Sequence, residues 1–564
     1  MLRITQFAQL VRREFSGYDI HRLRTDVLAG ITVAAVCLPL ALAYGIAGGM
    51  TPAAGLVTAI IAGVITGMLG GTAFQISGPT GAMSAVLLVV LHRTGVMGMW
   101  TATLIGGVFL IIMGVLRFGR YVVFIPTPVI TGFTSGIALI IAIGQIDPAL
   151  GIMTPPADTG FAKLTGYFTW HPAVNQWAIA CTLGTIIVIW VLRSWLPRIP
   201  DALGAMVIIT FVSVAAGWDV TRIGSLPNTI MLASHLQWQL IPWEQLSTIV
   251  SAGVSIAALA AIESLMTGTA GAALSGKPFD PDQELMAQGA ANVVAPWFGG
   301  VPSSAAISRT AVAIRSGAST RLTSVFHAIT LLLSVIFLSQ IITLIPLASL
   351  AGVLLWTAWH MCDWATLRRY AHARLKHAMA GVIVTMLATA ALDLTQAILI
   401  GLAVSAIIHL RLEAEAASVT IVPIDPTRLP NARFTTACPG VRVAYVSGAL
   451  FFGNAAAMRQ ALQQEQTCHT LILSMRGVPM IDVMGAEVLR QIIAEYQQRN
   501  GVVLLAGVQP AVRAMLERLR IDDLIGTTHF YWDAASAIHA VHDEIALHGC
   551  QRCQEECVAA TTPS

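Results

Sequence analysis

The sequence predicts a polytopic α-helical membrane protein of fourteen segments, set as two inverted repeats of seven, followed by a small α/β domain. Three observations predict it. The 564 residues are 56% hydrophobic and only 11% charged, whereas clothing a soluble surface takes about 25% charged residues. Apolar stretches able to span or half-span a bilayer recur from Val27 to Leu410. Past Leu410 the chain turns polar and short apolar runs alternate with a helical pattern. The net charge of +3 gives no reason to expect a nucleic-acid partner.

Residues 1–25 carry Arg3, Arg12, Arg13, Arg22 and Arg24, broken by Glu14 and Asp19, without the apolar run of a signal peptide. They read as a cytoplasmic tail. The apolar region 26–410 then divides into segments 27–48, 52–69, 80–91, 97–116, 124–145, 173–194 and 203–217, and 246–274, 285–297, 306–316, 322–340, 344–361, 376–391 and 394–410. The segments beginning near Thr80 and Ala306 are too short to cross alone. Charge supports the count. With the tail inside, the inner loops hold Arg117, Arg120, Arg193, Arg198, Lys277, Arg315, Arg321, Arg368, Arg369, Arg374 and Lys376. The outer loops hold only Arg93, Lys163 and Arg222. An odd number of crossings per half sets the two halves in opposite orientations.

Residues 411–417 read as a linker and 418–545 as an α/β domain. Val441, Val443 and Tyr445 alternate as in a strand, while Leu471–Leu473 and Val502–Leu505 read as buried strands. Between those two runs, Ala486, Leu489, Ile493 and Tyr496 keep helical spacing. The tail, 546–564, holds Cys550, Cys553 and Cys557 behind His539, His542 and His548, a spacing compatible with zinc. In so short a tail, that spacing is not counted as a metal site.

The halves echo each other where chemistry is expected. Gly70–Met83 (GGTAFQISGPTGAM) and Gly299–Val312 (GGVPSSAAISRTAV) each place a Gly pair before an extended stretch and a helix start, near Thr80 and near Ser308. Interrupted segments at corresponding places in two halves point to a transporter's binding site. The first amides of a helix have no partner within it and carry roughly half a positive charge, so they suit an anion. Arg309 stands beside the second start. An arginine at membrane depth costs about 2.5–3.5 kcal/mol, so it either attracts an anion or pairs with a carboxylate. Glu263, midway through SIAALAAIESLMTGTA, poses the converse problem. Ionised, it repels an anion, and a proton or Na⁺ on it relieves the conflict; alternatively it is a fixed partner for Arg309. Ser264 and Thr267 flank it as oxygen ligands or packing residues. Pro39 is expected either to open the first helix, aiming Leu40 and Tyr44 at a cavity, or to leave a packed kink. Gln288 and Asn292 share a helix face and are expected to cross-link neighbours.

The motifs RTDVLAGITVAAVCLPLALAYGIAGG, QISGPTGAM, AIESLMTGTA and ELMAQGAANVVAPWFGG followed by SRT resemble those of the SulP (sulfate permease) family of anion transporters. The C-terminal region resembles a STAS domain. The resemblance implies core and gate domains, a homodimer and an elevator-like movement. It implies sulfate, bicarbonate, chloride or C4-dicarboxylate as substrate, held by Leu40, Tyr44, Thr80, Gly81, Ile307, Ser308 and Arg309, with Glu263 and Thr267 at the coupling-ion site. Where a Na⁺-coupled branch has aspartate, this chain has Glu263, with Ala305-Ala306 nearby, which favours H⁺. Leu40 replaces a polar residue of some members. Asp482-Val483-Met484-Gly485 lacks the serine of phosphorylated STAS proteins, excluding phosphorylation at that site.

The expected function is H⁺-coupled anion symport in a bacterial-type inner membrane, with both termini cytoplasmic and membrane lipid around the helices. The STAS domain is expected to bind a cytoplasmic protein or nucleotide. No cofactor is expected, and without a nucleophile–base pair or phosphate loop no enzyme activity. Alternatives are an uncoupled anion channel, a Na⁺-coupled bicarbonate or sulfate symporter, and a membrane sensor signalling through the STAS domain.

Overall fold

The computed structural model describes residues 9–548 apart from 13, 125, 153, 155–166, 168–172, 197–198, 225–228, 393, 430–436, 439 and 464–467. Cys550, Cys553, Cys557, Lys163 and Arg198 therefore lie outside the described residues. The chain divides into two compact units, Met1–Ser405 and Ala406–Ser564.

The first unit is helical. Its longer helices are α1 (Ile20–Ala47), α2 (Pro52–Leu69), α3 (Gly81–Val115), α4 (Thr127–Gly144), α5 (Gln176–Trp195), α6 (Asp201–Ala215), α7 (Leu246–Ser275), α8 (Pro281–Val294), α9 (Ile307–Arg315), α10 (Leu322–Ile342), α11 (Leu347–Met361), α12 (Lys376–Ala391) and α13 (Leu394–Ala416). The division between the units falls within α13. Among the described residues seven helices are long and apolar enough to cross a bilayer by themselves, and α6 and α12 are shorter apolar helices. α3 accounts for two of the sequence segments. Gly95, at φ 70° and ψ −179°, breaks it into halves, which is conformational space that only glycine enters freely. Contrary to the expectation of an opening at Pro39, α1 runs through it without interruption.

Start signals lie where the helices begin. Asp19 caps α1, accepting from the Arg22 amide. Thr51 caps α2 ahead of Pro52, and Asp280 caps α8 ahead of Pro281. One large apolar core is shared by α1, α2, α3, α7 and α11, with Leu42, Leu56, Trp100, Leu259 and Leu350 buried in it. Helices approach closely where side chains vanish. A Cβ on Gly107 of α3 would meet the Gly289 carbonyl at 2.7 Å, and one on Gly289 of α8 would meet the Gly107 carbonyl at 2.6 Å. Small residues let backbones close up in this way where lipid supplies no hydrophobic drive between helices.

Two residue pairs break the helical pattern: β1 (Ser77–Gly78) and β2 (Ser304–Ala305) pair antiparallel, Ser77 opposite Ala305 and Gly78 opposite Ser304. The Ala306 amide continues the ladder by donating to the Ile76 carbonyl (3.3 Å).

The second unit is a five-stranded sheet in the order β3 (Ser418–Pro423), β4 (Val441–Ser447), β5 (Thr470–Gly477), β6 (Val502–Ala506), β7 (Phe530–Tyr531). β3 runs antiparallel and the other neighbours parallel. α14 (Ala455–Gln463), α15 (Val483–Gln498), α16 (Pro510–Arg518) and α17 (Ala534–His548) complete it. Alternate strand residues feed two cores. Leu471 and Leu473 pack with α15 residues Leu489 and Ile493, while Val441, Val443, Ile472 and Leu504 pack with Ala537 and Ile538 of α17. Tyr445, on the parity of Val441 and Val443, is nevertheless exposed, and the register with β5 slips between Tyr445 and Ser447. Asp482 caps α15 by accepting from the Gly485 amide (2.8 Å).

Candidate anion site at the paired helix starts

The β1–β2 pair brings the two interrupted segments together. Each short strand leads directly into a helix, β1 into α3 and β2 into α9, so the helix starts flank one buried antiparallel crossover. They are finished differently. Thr80 caps α3, its hydroxyl accepting from the Met83 amide (3.3 Å). α9 begins after Ala306 without a side-chain cap. The amides of Ile307 and Ser308 have no carbonyl one turn back within the helix, and both residues are exposed. Tyr44 is buried with its ring against the first turn of α3, 3.2 Å from where a Gly81 Cβ would stand. Its carbonyl accepts from the Ser84 hydroxyl (2.9 Å). Leu40 lies within the apolar core.

Glu263 of α7 reaches the crossover through hydroxyls. Thr80 Oγ1 donates to its Oε2 (2.8 Å), Ser304 Oγ donates to the same oxygen, and the two hydroxyl oxygens stand 3.0 Å apart. Its neighbours serve the backbone of β2 instead. Ser264 Oγ accepts from the Ala305 amide (3.2 Å), and Thr267 Oγ1 donates to the Ala305 carbonyl (3.4 Å). The Thr267 hydroxyl is thus engaged with the crossover and does not bond to Glu263.

Arg309 is 1% exposed and points back under the crossover, where Nη2 donates to the Pro79 carbonyl (2.7 Å). Nη1 lies so near β1 that a Cβ on Gly78 would stand 2.7 Å from it. Glycine is required there for space, since the backbone must pass close to the guanidinium. Arg309 forms no ion pair among the described residues, and its polar hold is a carbonyl. The fixed Glu263–Arg309 salt bridge held open by the sequence is not formed. The two charges flank one crossover, each bonded to its own side.

A second carboxylate escaped the sequence reading. Glu284 of α8 is fully buried and accepts from the Gly71 amide (3.0 Å), Gln75 Nε2 (2.9 Å) and Gln288 Nε2 (3.1 Å). Gln288 also donates to Ser77 Oγ. Asn292 takes the Ser303 amide (2.7 Å) and donates to the Ser303 carbonyl (3.0 Å). So Gln288 and Asn292 do cross-link, Gln288 onto β1 and Asn292 onto the residue that precedes β2. The signal was there: Glu284, Gln288 and Asn292 repeat every four residues along one helix face. A separate cavity of about 910 Å³, lined among others by Ala85, His92, Arg93, Gln145, Ser251 and Ser255, contains none of the expected site residues.

Residues 23–386 match the Sulfate permease family and residues 435–537 the STAS domain. The bicarbonate transporter BicA of Picosynechococcus sp. is 30% identical over 88% of this chain and 91% of its own length. Sulfate transporter 2.2 of Arabidopsis thaliana is 24% identical over 92% of this chain and 83% of its own. Among solved structures, the murine Slc26a9 anion transporter shares the fold, with a TM-score of 0.83 at 17% identity over 96% of this chain and 95% of that one. With its paired, interrupted helices and a C-terminal STAS domain, the chain belongs to the sulfate permease family of membrane anion transporters.

Proposed function

We propose that the protein is a secondary active, H⁺-coupled symporter of a small oxyanion, sulfate or bicarbonate in class, with C4-dicarboxylate as the organic counterpart. The observation that supports it most is the three-oxygen cluster of Glu263, Thr80 and Ser304 set at the crossover from which both helix starts spring. The anion sits against the open amides of Ile307 and Ser308 and those at Gly81, with Tyr44 closing the first turn of α3 and the charge of Arg309 acting from beneath. Leu40 contributes apolar wall.

Coupling follows from counting protons. With Glu263 ionised, both hydroxyls spend their single proton on its carboxylate and its charge opposes the anion. A proton on Glu263 closes the ring: the carboxyl donates to one hydroxyl, that hydroxyl to the other, and the second back to the carboxylate oxygen. The ring holds two protons or three without moving a heavy atom. In this reading Thr267 positions β2 rather than binding an ion, and no step of the cycle makes or breaks a substrate bond, so the protein is a carrier and not an enzyme. The carrier works as a homodimer in the inner membrane with its N-terminus and STAS domain cytoplasmic, and moves its site in elevator fashion.

The test is uptake of labelled sulfate, bicarbonate and succinate into proteoliposomes, with and without an inward proton gradient, for wild type and Glu263→Gln. The reading expects one anion to accumulate above equilibrium with the gradient, and the variant only to equilibrate it. Flux that never exceeds equilibrium and ignores both pH and the substitution would instead identify an uncoupled channel. Accumulation driven by Na⁺ at constant pH would replace the proton.

A further inference from the structure

His327 is a polar side chain that the site as described leaves unused. It lies in the second turn of α10, fully buried, and neither ring nitrogen has a protein partner. Arg309 Nη1, also buried, has none. A buried polar atom left without a hydrogen bond costs about 1–3 kcal/mol, so two such groups need a reason.

They approach the same face of α2. The Cβ position at Gly78, 2.7 Å from Arg309 Nη1, is 3.3 Å from the Ala59 Cα. A Cβ on Gly63 would stand 3.4 Å from His327 Cδ2. Ala59 and Gly63 are four residues apart, about 6 Å along the axis. Arg309 is also the charge that acts on the imidazole. The Cys37 thiol lies beside the guanidinium, but sulfur is a weak acceptor.

We propose that Arg309 Nη1 and His327 share a buried bridging water, and that His327 is thereby a positioning residue for the anion's arginine. A donor–water–acceptor bridge is two hydrogen bonds of about 2.8–2.9 Å each, so the proposal requires the guanidinium and an imidazole nitrogen to stand within about 6 Å across this face of α2. A buried water takes 2–4 polar partners, and the guanidinium N–H with an imidazole nitrogen supply the first two. Arg309 is then held from both sides, by the Pro79 carbonyl through Nη2 and by the bridged His327 through Nη1. Its charge stays fixed under the helix starts. This rests on the anion-carrier reading, since it assigns the arginine's position a consequence for anion affinity.

The experiment compares full-length wild type, His327→Leu and His327→Gln in proteoliposomes, reading KM and kcat for sulfate and bicarbonate alongside thermal stability. Positioning predicts an unusual combination for His327→Leu: KM raised about tenfold with kcat little changed, and Tm equal to or above wild type, because an apolar side chain needs no partner. His327→Gln keeps a donor and an acceptor and should stay within about threefold of wild-type KM. An unchanged KM in His327→Leu overturns the proposal, as does a lowered Tm with both variants equally impaired. If His327→Leu does not fold, a high-resolution experimental map of the wild-type protein decides: density between Arg309 and His327 supports the bridge and its absence overturns it. Wild type that carries neither anion would defeat the carrier reading, while the density would still answer for the bridge.

Discussion

In the proposed cycle the decisive quantity at Glu263 is how many protons three oxygens hold. Thr80→Val removes one oxygen of that ring and the α3 cap together. The cap alone is worth about 1 kcal/mol, too little to unfold the protein. We expect Thr80→Val to fold, to lose more than tenfold in proton-driven uptake, and to keep most of its downhill exchange; uptake assays with and without a gradient check the split. Equal loss in both modes would make Thr80 a substrate contact and remove it from the coupling ring. Gly78 makes the complementary case. Its Cβ position stands 2.7 Å from Arg309 Nη1, so Gly78→Ala must displace the guanidinium or the strand. A rise in substrate KM of at least tenfold is expected, measured beside Tm to show that the fold survives.

At the scale of elements, the crossover depends on α8, whose polar face ties Gln288 to Ser77 of β1 and Asn292 to Ser303 just before β2, with Glu284 bonded to Gln288. Asn292→Leu strands the amide and carbonyl of Ser303, at about 1–3 kcal/mol each, and should lower stability by roughly 2–4 kcal/mol in a thermal melt. The C-terminal end of α2 is tied similarly. Arg321 Nε donates to Glu14 (2.9 Å), and Nη1 donates to the carbonyls of Met68 and Gly70 (3.2 Å each). Both charged side chains are at least 94% buried. Arg321→Met leaves Glu14 buried and unpaired, a loss of about 3–5 kcal/mol, and replacing Glu14 by Gln as well should restore part of it. Thermal melts of the two variants would show this. The breaks at Gly70–Met83 and Gly299–Val312 were legible because glycine and proline leave a local mark. So were β4, β5 and β6 of the STAS domain, whose apolar runs are short and bounded, but not β3 or β7. The pairing of Ser77 with Ala305 was not, because it joins residues more than two hundred positions apart and two-residue strands have no periodicity. Arg309 was legible as a costly residue but not in its direction. Its rotamer answers to Pro79 and Gly78, which only the fold brings near. Glu14 and Arg321 read as ordinary cytoplasmic charges, and their burial against each other comes from packing alone.

At the scale of the molecule, the two units keep separate cores. The helical unit's apolar cluster and the two STAS clusters share no residue, so heating should give two transitions. The second unit, expressed as residues 418–548, is expected to melt cooperatively with an enthalpy on the order of 90 kcal/mol near 60 °C, at about 0.7 kcal/mol per residue. Calorimetry of the full chain and of that fragment tests both statements. A single transition in the full chain, absent from the fragment, would show that the cores are not independent. The main-chain bond between β1 and β2 carries a different lesson. Since each helix start is sewn to the other, the donors of the anion site proposed above travel together as one piece. Whichever aqueous compartment the pocket opens to, the ligand meets the same amides in the same arrangement. A cradle that cannot disassemble grips equally from either direction and has no preferred direction of its own. In the symport we propose, its sense of travel is imported from the proton that accompanies the cargo.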